Sequence, residues 1–397
     1  MKELKTDILI CGGGIIGLTI ARELVSRGNA DILIIEKEEA VGLHASGRNS
    51  GVLHAGIYYA PDSLRAASCL RGNRLMKEYC REHGLPLLES GKVIVAKNEE
   101  ELPVLDELYR RALANGSPVS ILSEKELSEL EPSARTRVRA LYSPETAMVS
   151  PKAIMKSLYD DLTKQKNITI LTGTQFLKQQ GSGSIITDKG PIQFNTFINA
   201  AGAYSDRIAH AFGLGCDYRL IPFKGTYRKL SPASGVTVRG SIYPAPNIRN
   251  PFLGVHFTRG VDGTTYIGPT AIPAFGRENY GLVAGMDSEA LTLLLWDALL
   301  LFSNAGFRHI ALSEPVKYIG KFFFRDAEKL VRGLRPGDIM HSEKSGIRPQ
   351  LIDRKKREMV MDFIVLKDGG TLHILNAISP AFTASMDFAR MVVDRYL

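Results

Sequence analysis

Gly12-Gly13-Gly14-Ile15-Ile16-Gly17 sets three glycines in the spacing G-x-G-x-x-G, between an apolar strand-like run and a helix-like run. Each glycine has its own task in that context. Gly12 permits a tight turn, Gly14 lets a pyrophosphate approach the backbone near the amides of Ile15 and Ile16, and Gly17 lets helix and strand pack closely. Glu36 lies about twenty residues further on, where a carboxylate accepts hydrogen bonds from ribose hydroxyls and disfavours a 2′-phosphate. The chemistry implied is dinucleotide binding, with NAD and FAD left unseparated. No second such glycine motif follows a strand, so a reductase carrying its own nicotinamide domain is not expected.

The loop after Glu36 contains His44-Ala45-Ser46-Gly47-Arg48-Asn49-Ser50-Gly51-Val52-Leu53-His54-Ala55-Gly56-Ile57-Tyr58-Tyr59. Its small, hydrogen-bonding residues suit a backbone laid against a flat, polar-edged ligand. An Asn/Gly turn with two surface histidines is the plain alternative.

The elements that must position these residues follow from periodicity. Lys5 to Cys11, Ile16 to Arg27 and Asp31 to Glu36 read as strand, helix and strand, one βαβ unit. A helix is expected from Ser63 to His83, a strand from Lys92 to Ala96, and charged amphipathic helices at Glu99 to Asn115 and Glu124 to Leu130. Ser150 and Pro151 cap and open another helix. The strand Ile168 to Phe176, a Gly-Ser-Gly-Ser turn and the run Phe194 to Ala201 resemble a second half of the same parallel sheet. From Ile221 to Ile267, short runs broken by Pro and Gly suggest a mostly antiparallel sheet, and Ser288 to Arg332 reads as helical. A strand at Leu372 to Leu375 and a helix from Pro380 to Tyr396 close the chain. Phe388, Met391 and Val392 form that helix's apolar face.

The 397 residues are enough for two or three domains with real cores, and 44% apolar with 23% charged residues exclude disordered and collagen-like chains. Fifty Lys+Arg against 42 Asp+Glu leave +8, which favours anionic partners without choosing among them. Cys11, Cys69, Cys80 and Cys216 stand apart with no C-x-x-C, so no zinc site or redox dithiol is indicated and no metal is expected. A reducing, cytoplasmic home is the expectation, since the polar start at Met1 to Asp7 leaves no room for a secretory signal. The apolar stretch Ala290 to Phe302 contains Asp297 and falls short of the roughly 20 residues needed to cross a bilayer. Surface attachment stays open.

Four segments carry a family resemblance: Arg48 to Tyr59, Ala200-Ala201-Gly202-Ala203-Tyr204-Ser205-Asp206-Arg207, Ile221-Pro222-Phe223-Lys224-Gly225, and Phe252-Leu253-Gly254-Val255-His256-Phe257-Thr258. With them the whole chain resembles FAD-dependent oxidoreductases of the D-amino-acid-oxidase superfamily, in particular the L-2-hydroxyglutarate dehydrogenase/oxidase family. The resemblance implies an α/β fold: a Rossmann-like, glutathione-reductase-like FAD domain with an inserted α+β substrate domain on a mostly antiparallel sheet. Residues 1–84, 150–216 and 339–397 would form the FAD domain, and 85–149 and 217–338 the substrate domain. FAD, held non-covalently, would meet Gly12, Gly14, Ile15, Ile16, Gly17, Glu36, Lys37, Ser46, Arg48, Asn49, Ser50, Gly51, Gln175, Ala201, Gly202, Gly346, Ser379, Ala381 and Phe382. His44 as a covalent anchor is not required by the match. Ser379-Pro380 repeats the cap-then-proline signal, so the last helix would begin there; the resemblance implies that its positive end meets the flavin's pyrimidine edge.

Oxidising an alcohol beside a carboxylate needs a hydride acceptor, a base for the hydroxyl proton and a cation for the carboxylate. His256 resembles the family's substrate-facing histidine and is the first candidate base; His54 is the second. Arg348, in Ser345-Gly346-Ile347-Arg348-Pro349, stands where the superfamily holds the substrate carboxylate, with a surface arginine in a Gly-Pro turn as the alternative. Lys224, Tyr58, Tyr59 and Tyr266 are candidates for a second carboxylate, although tyrosines serve equally in cores.

The leading reading is oxidation of L-2-hydroxyglutarate, or a close 2-hydroxy diacid, with electrons passed to a quinone, another acceptor or oxygen. Oxidation of glycerol 3-phosphate or of an amino acid such as glycine is the enzymatic rival, because fold alone does not assign chemistry. A flavin-dependent RNA-associated protein is the non-enzymatic one. No RNA-binding motif supports it, and no nucleic acid partner is expected. Lys317 to Arg332 mixes aromatic and basic residues and is compatible with peripheral contact at the cytoplasmic face of a membrane; an ordinary amphipathic core helix is the favoured alternative.

Overall fold

Residues 9–11, Ile32–Ile35 and residues 372–375 are buried at every position, so these stretches of parallel strand need no polar alternation. In the computed structural model, which describes residues 4–247 and 252–397, Leu4–Cys11 pairs in parallel with Gly190–Asn199 and with Ile32–Ile35. Ile168–Leu171 extends the sheet beyond Ile32–Ile35, and Thr371–Leu375 joins Gly190–Asn199. Phe176–Gln179 and Ser184–Thr187 add an antiparallel hairpin, and Ile364–Asp368 pairs antiparallel with Thr371–Leu375. The expected strand Ile168 to Phe176 is two strands. Between them, the amides of Gly173 and Thr174 turn aside to the carbonyls of Glu38 and Glu36 at 2.7 and 2.8 Å.

The chain divides into two units: Met1–Asn49, Pro151–Pro222 and Arg348–Leu397 form one, and Ser50–Ser150 and Phe223–Ile347 the other. The first switch falls after Asn49 rather than at residue 84, and the helix Leu64–Glu82 shows why. Fully buried Asn73, on that helix, donates to the carbonyls of Leu53, His54 and Glu145 at 3.1, 3.1 and 3.0 Å, all within the second unit. The later switches fall after Ser150, Pro222 and Ile347, so the last two move from the expected 216/217 and 338/339 into the strands Tyr218–Leu230 and Ile339–Asp353. Residues 1–3 and 248–251, which belong to the expected N-terminal lead-in and the β-rich run, lie outside the described residues.

The second unit is built on a mostly antiparallel sheet. Lys92–Val95 pairs in parallel with Ser241–Pro244, which pairs antiparallel with His256–Arg259, and that strand with Thr265–Gly268. Register sets the two faces. Val93 lies opposite Ile242, Ile242 opposite Phe257 and Phe257 opposite Ile267, and all four enter a core shared with Phe323 and Val331. The alternate positions, Lys92, Ser241, Tyr243, His256, Thr258 and Tyr266, therefore share the other face.

The last helix spans Ala381–Tyr396 and starts one residue later than expected. Pro380 occupies the cap position, no side chain caps the end, and the Ala381 amide donates to Ile378 O at 2.7 Å. Phe388 and Val392 are buried as expected, while Met391 is half-buried and Val393 takes its place in the core.

Candidate active site

In the first unit, the glycine turn is closed where the fold must be tight and open where a ligand must approach. Gly12 has φ +120°, and a Cβ there would stand 2.4 Å from Ala200 O; a Cβ on Gly17 would stand 2.0 Å from Gly12 O. At Gly14 the one close neighbour of a Cβ is Ser46 Oγ, at 3.2 Å. Two closed positions around one open one are what a pyrophosphate-binding turn requires. The Ile15 amide donates to Ser46 Oγ at 2.9 Å, and the Gly13 amide donates to Glu36 Oε2 at 2.8 Å. Ser46 and Glu36 therefore hold the turn itself in shape. Glu36 Oε1 also accepts from the Glu38 amide, so ribose hydroxyls would share this carboxylate with the backbone.

The loop that follows is built. Ala45–Arg48 is one helical turn, Arg48 Nε donates to Leu43 O at 2.8 Å, and Asn49 Nδ2 donates to Ser46 O at 2.8 Å. His44 Nε2 lies 2.9 Å from Glu38 Oε1 and 3.0 Å from Lys37 Nζ, and Lys37 also pairs with Glu38. Ala201 and Gly202 follow Ala200, the residue just past the strand Gly190–Asn199, whose amide donates to Cys11 O at 2.9 Å, so they lie beside the glycine turn. Gln175 is exposed in the break next to Glu36, its amide bonded to Asp188 Oδ1 at 2.7 Å. Ser379, Ala381 and Phe382 stand at the start of the last helix.

In the second unit, His256 opens its strand and is 5% exposed. Its Nδ1 lies 2.8 Å from Gly254 O. A carbonyl only accepts, so Nδ1 carries the hydrogen and Nε2 of the neutral ring keeps a lone pair, the tautomer a proton acceptor needs. Gly254 has φ +76°, a conformation other residues rarely adopt. Burial first, and Lys92 to a lesser degree, push the His256 pKa down to about 3 against the raising effect of its hydrogen bond to Gly254 O. The ring stacks on Tyr243, centroids 3.7 Å apart.

Around His256 the expected residues fare differently. Lys224 is buried and donates to Gly281 O at 2.5 Å and to Asn279 Oδ1 at 3.5 Å, so its amine is largely engaged by a loop of its own unit. Tyr266 contacts Asp262 Oδ2 at 3.4 Å, and Lys344 Nζ stands 4.2 Å over its ring. His54 is buried beside Val52–Leu53, its ring 6.5 Å from that of Tyr58. Tyr58 and Tyr59 are also 6.5 Å apart, and the Tyr58 hydroxyl is buried without a hydrogen-bond partner among the described residues. Ser50 bonds the Tyr227 phenol, Gly51 O accepts from the Val149 amide, and Gly346 lies in the strand Ile339–Asp353. Arg348 belongs to the first unit and is half-buried within that strand, not on a surface turn.

Lys92, Tyr243, Tyr227 and Lys344 were not singled out in the sequence. Lys92 reads there as the polar end of an apolar strand, and only the register puts it on the face of His256.

The family described as FAD dependent oxidoreductase matches residues 7–395. Proteins named mitochondrial L-2-hydroxyglutarate dehydrogenase from Nematostella vectensis and Homo sapiens are each 35% identical over 98% of this chain, covering 90% and 88% of their own lengths. A protein named L-2-hydroxyglutarate dehydrogenase from Indibacter alkaliphilus is 34% identical over 98% of both chains. Among solved structures, FAD-bound L-alpha-glycerophosphate oxidase from Mycoplasma pneumoniae superposes with TM-score 0.77 at 24% identity, over 99% of this chain and 94% of its own. Glycine oxidase from Geobacillus kaustophilus gives 0.71 at 21% identity, over 98% and 94%. These two share the fold. With its glycine turn shaped for a dinucleotide and the family match spanning both units, this chain belongs to the FAD-dependent oxidoreductases.

Proposed function

We propose that this protein oxidises L-2-hydroxyglutarate, or a close 2-hydroxy diacid, to the 2-oxo acid. The observation that carries the chemistry is the His256 tautomer: Nδ1 is tied to Gly254 O, so Nε2 of the neutral imidazole is the atom that takes the hydroxyl proton. Bound FAD supplies the hydride acceptor. Arg348 is the proposed carboxylate clamp, and the names of the full-length relatives support the diacid as substrate. FAD is proposed to be held non-covalently, in keeping with a His44 ring already engaged by Glu38 and Lys37.

The acceptor is proposed to be a quinone reached at the cytoplasmic face of a membrane. The four thiols are free, which suits a reducing compartment. An exposed apolar surface supports the membrane contact. Helix Ala290–Ser303 is mostly apolar, with Asp297 as its single charged residue, yet only Leu293 and Leu300 are buried. Leu282, Val283, Leu291, Leu295, Phe302 and Ile319 are each more than half exposed. Among the described residues no single helix is long and apolar enough to cross a membrane, but this helix and Ala305–Tyr318 pass that test together as a pair bent by 116°. The surface lies mostly upstream of the expected Lys317 to Arg332. There, Phe323, Ala327 and Val331 are core, and Lys317 is held between Glu314 and Asp326.

Anaerobic mixing of the purified holoprotein with a panel of 2-hydroxy acids, glycerol 3-phosphate and amino acids tests the reading. L-2-hydroxyglutarate is expected to bleach the flavin absorbance fastest. Faster bleaching by glycerol 3-phosphate or glycine would reassign the substrate, and no bleaching by any compound would favour a non-catalytic flavoprotein.

A further inference from the structure

Lys92 opens the strand Lys92–Val95 and is 1% exposed. Its Nζ is buried with no hydrogen-bond partner among the described residues. It stands 4.5 Å from the centroid of the Tyr58 ring and 5.0 Å from that of Tyr243, the ring on which His256 stacks. The Tyr58 hydroxyl is likewise buried and unpartnered. Enclosing an ammonium without a counter-ion carries a desolvation penalty that ring faces return only in part. A methionine would fill the same volume without that cost.

We propose that Lys92 is a positioning residue for the oxidation: an amine enclosed by the Tyr58 and Tyr243 rings whose ammonium form draws the carboxylated substrate toward His256. The inference rests on the 2-hydroxy diacid reading and deepens it. Among the described residues, the titratable groups that face Lys92 are Cys69, Tyr58, Tyr243 and His256, and none is a carboxylate. Burial pushes Cys69 up to about 12, raises Tyr58 and Tyr243, and lowers His256, so all four are neutral near pH 7. Burial also lowers the Lys92 pKa to about 7. The enclosure thus holds an amine at the edge of ionisation and no anion. A dianionic ligand supplies that anion and favours the ammonium form.

The test compares wild-type, Lys92→Met and Lys92→Arg holoenzymes. Flavin absorbance reports the Kd of the product 2-oxoglutarate, and kcat and KM for L-2-hydroxyglutarate are followed against pH. For Lys92→Met the expected result is a rise of about tenfold in Kd and KM, the scale of a lost charge-assisted interaction. The acid limb of kcat/KM should move to higher pH, because His256 then protonates more easily; Lys92→Arg should restore that limb. A folded, yellow Lys92→Met enzyme with wild-type Kd, KM and pH profile would overturn the proposal. Should neither variant fold, NMR of the lysine amines in labelled wild-type holoenzyme decides. The buried amine resonance should shift when 2-oxoglutarate is added, and an unmoved resonance overturns the proposal. Failure of the diacid reading looks different: the wild-type flavin itself is then not bleached by L-2-hydroxyglutarate, and the role of Lys92 falls with it.

Discussion

At the scale of single residues, the proposed chemistry rests on a histidine kept neutral by its surroundings. His256→Ala is expected to retain FAD while slowing anaerobic flavin reduction by about two to four powers of ten, the span of general-base loss; near-normal reduction would remove it as the base. The same burial links folding to pH. His256 is lowered to about 3 and His373 to about 4, both below the ordinary imidazole value of 6.5. Between those values the unfolded chain binds more protons than the folded one. The native state therefore has its full stability above pH 6.5 and loses it as pH falls, by about 1.4 kcal/mol per pH unit for each histidine. Urea midpoints at pH 7, 6 and 5 should show a shallower acid-side decline in His256→Ala. An unchanged slope would mean that the ring is not held neutral.

At the scale of elements, the helix Leu64–Glu82 supports the segment that carries His54 and Tyr58. Its start is secured by Ser63 Oγ, which accepts from the Ala66 amide at 3.1 Å. Its middle is secured by Asn73, whose amide group donates to the buried carbonyls of Leu53 and His54 and the half-buried one of Glu145. Asn73→Ala leaves those acceptors without their donor, at a cost of about 1–3 kcal/mol for each unsatisfied group. The expected outcome is a lower denaturation midpoint together with a raised KM, since residues 52–58 lose their anchor. A variant with wild-type stability would show that water replaces the amide there.

At the scale of the whole molecule, the net charge of +8 and the apolar helix surface are the features on which the proposed contact with an anionic bilayer rests. The one charged residue of Ala290–Ser303, Asp297, has both carboxylate oxygens buried, and burial raises its pKa to about 7. The outward face of that helix is left to leucine and phenylalanine. Vesicles containing anionic lipid should sediment the wild-type holoprotein, and the triple variant Leu291→Ser, Leu295→Ser, Phe302→Ser should remain in the supernatant with unchanged flavin bleaching. Equal sedimentation of the two proteins would discard this surface. Self-association lost in the variant would assign the surface to a second copy of the chain instead.

What the sequence determined by itself were features written in local order. The βαβ unit, the glycine turn and Glu36 follow from apolar periodicity and from the φ and close-approach demands that only glycine meets. His256 and Arg348 stood out through the segments around them. What the tertiary structure decided were relations between residues distant in the chain. Asn73 binding the carbonyls of residues 53, 54 and 145 assigns its helix to the second unit, a preference invisible in an amphipathic pattern that would suit either unit. Lys92, Tyr243 and His256 share a face because three strands from separate parts of the chain pair in one register, and a shift of one residue would have sent the lysine to the opposite side. Periodicity reports which residues are buried; pairing decides which of them meet.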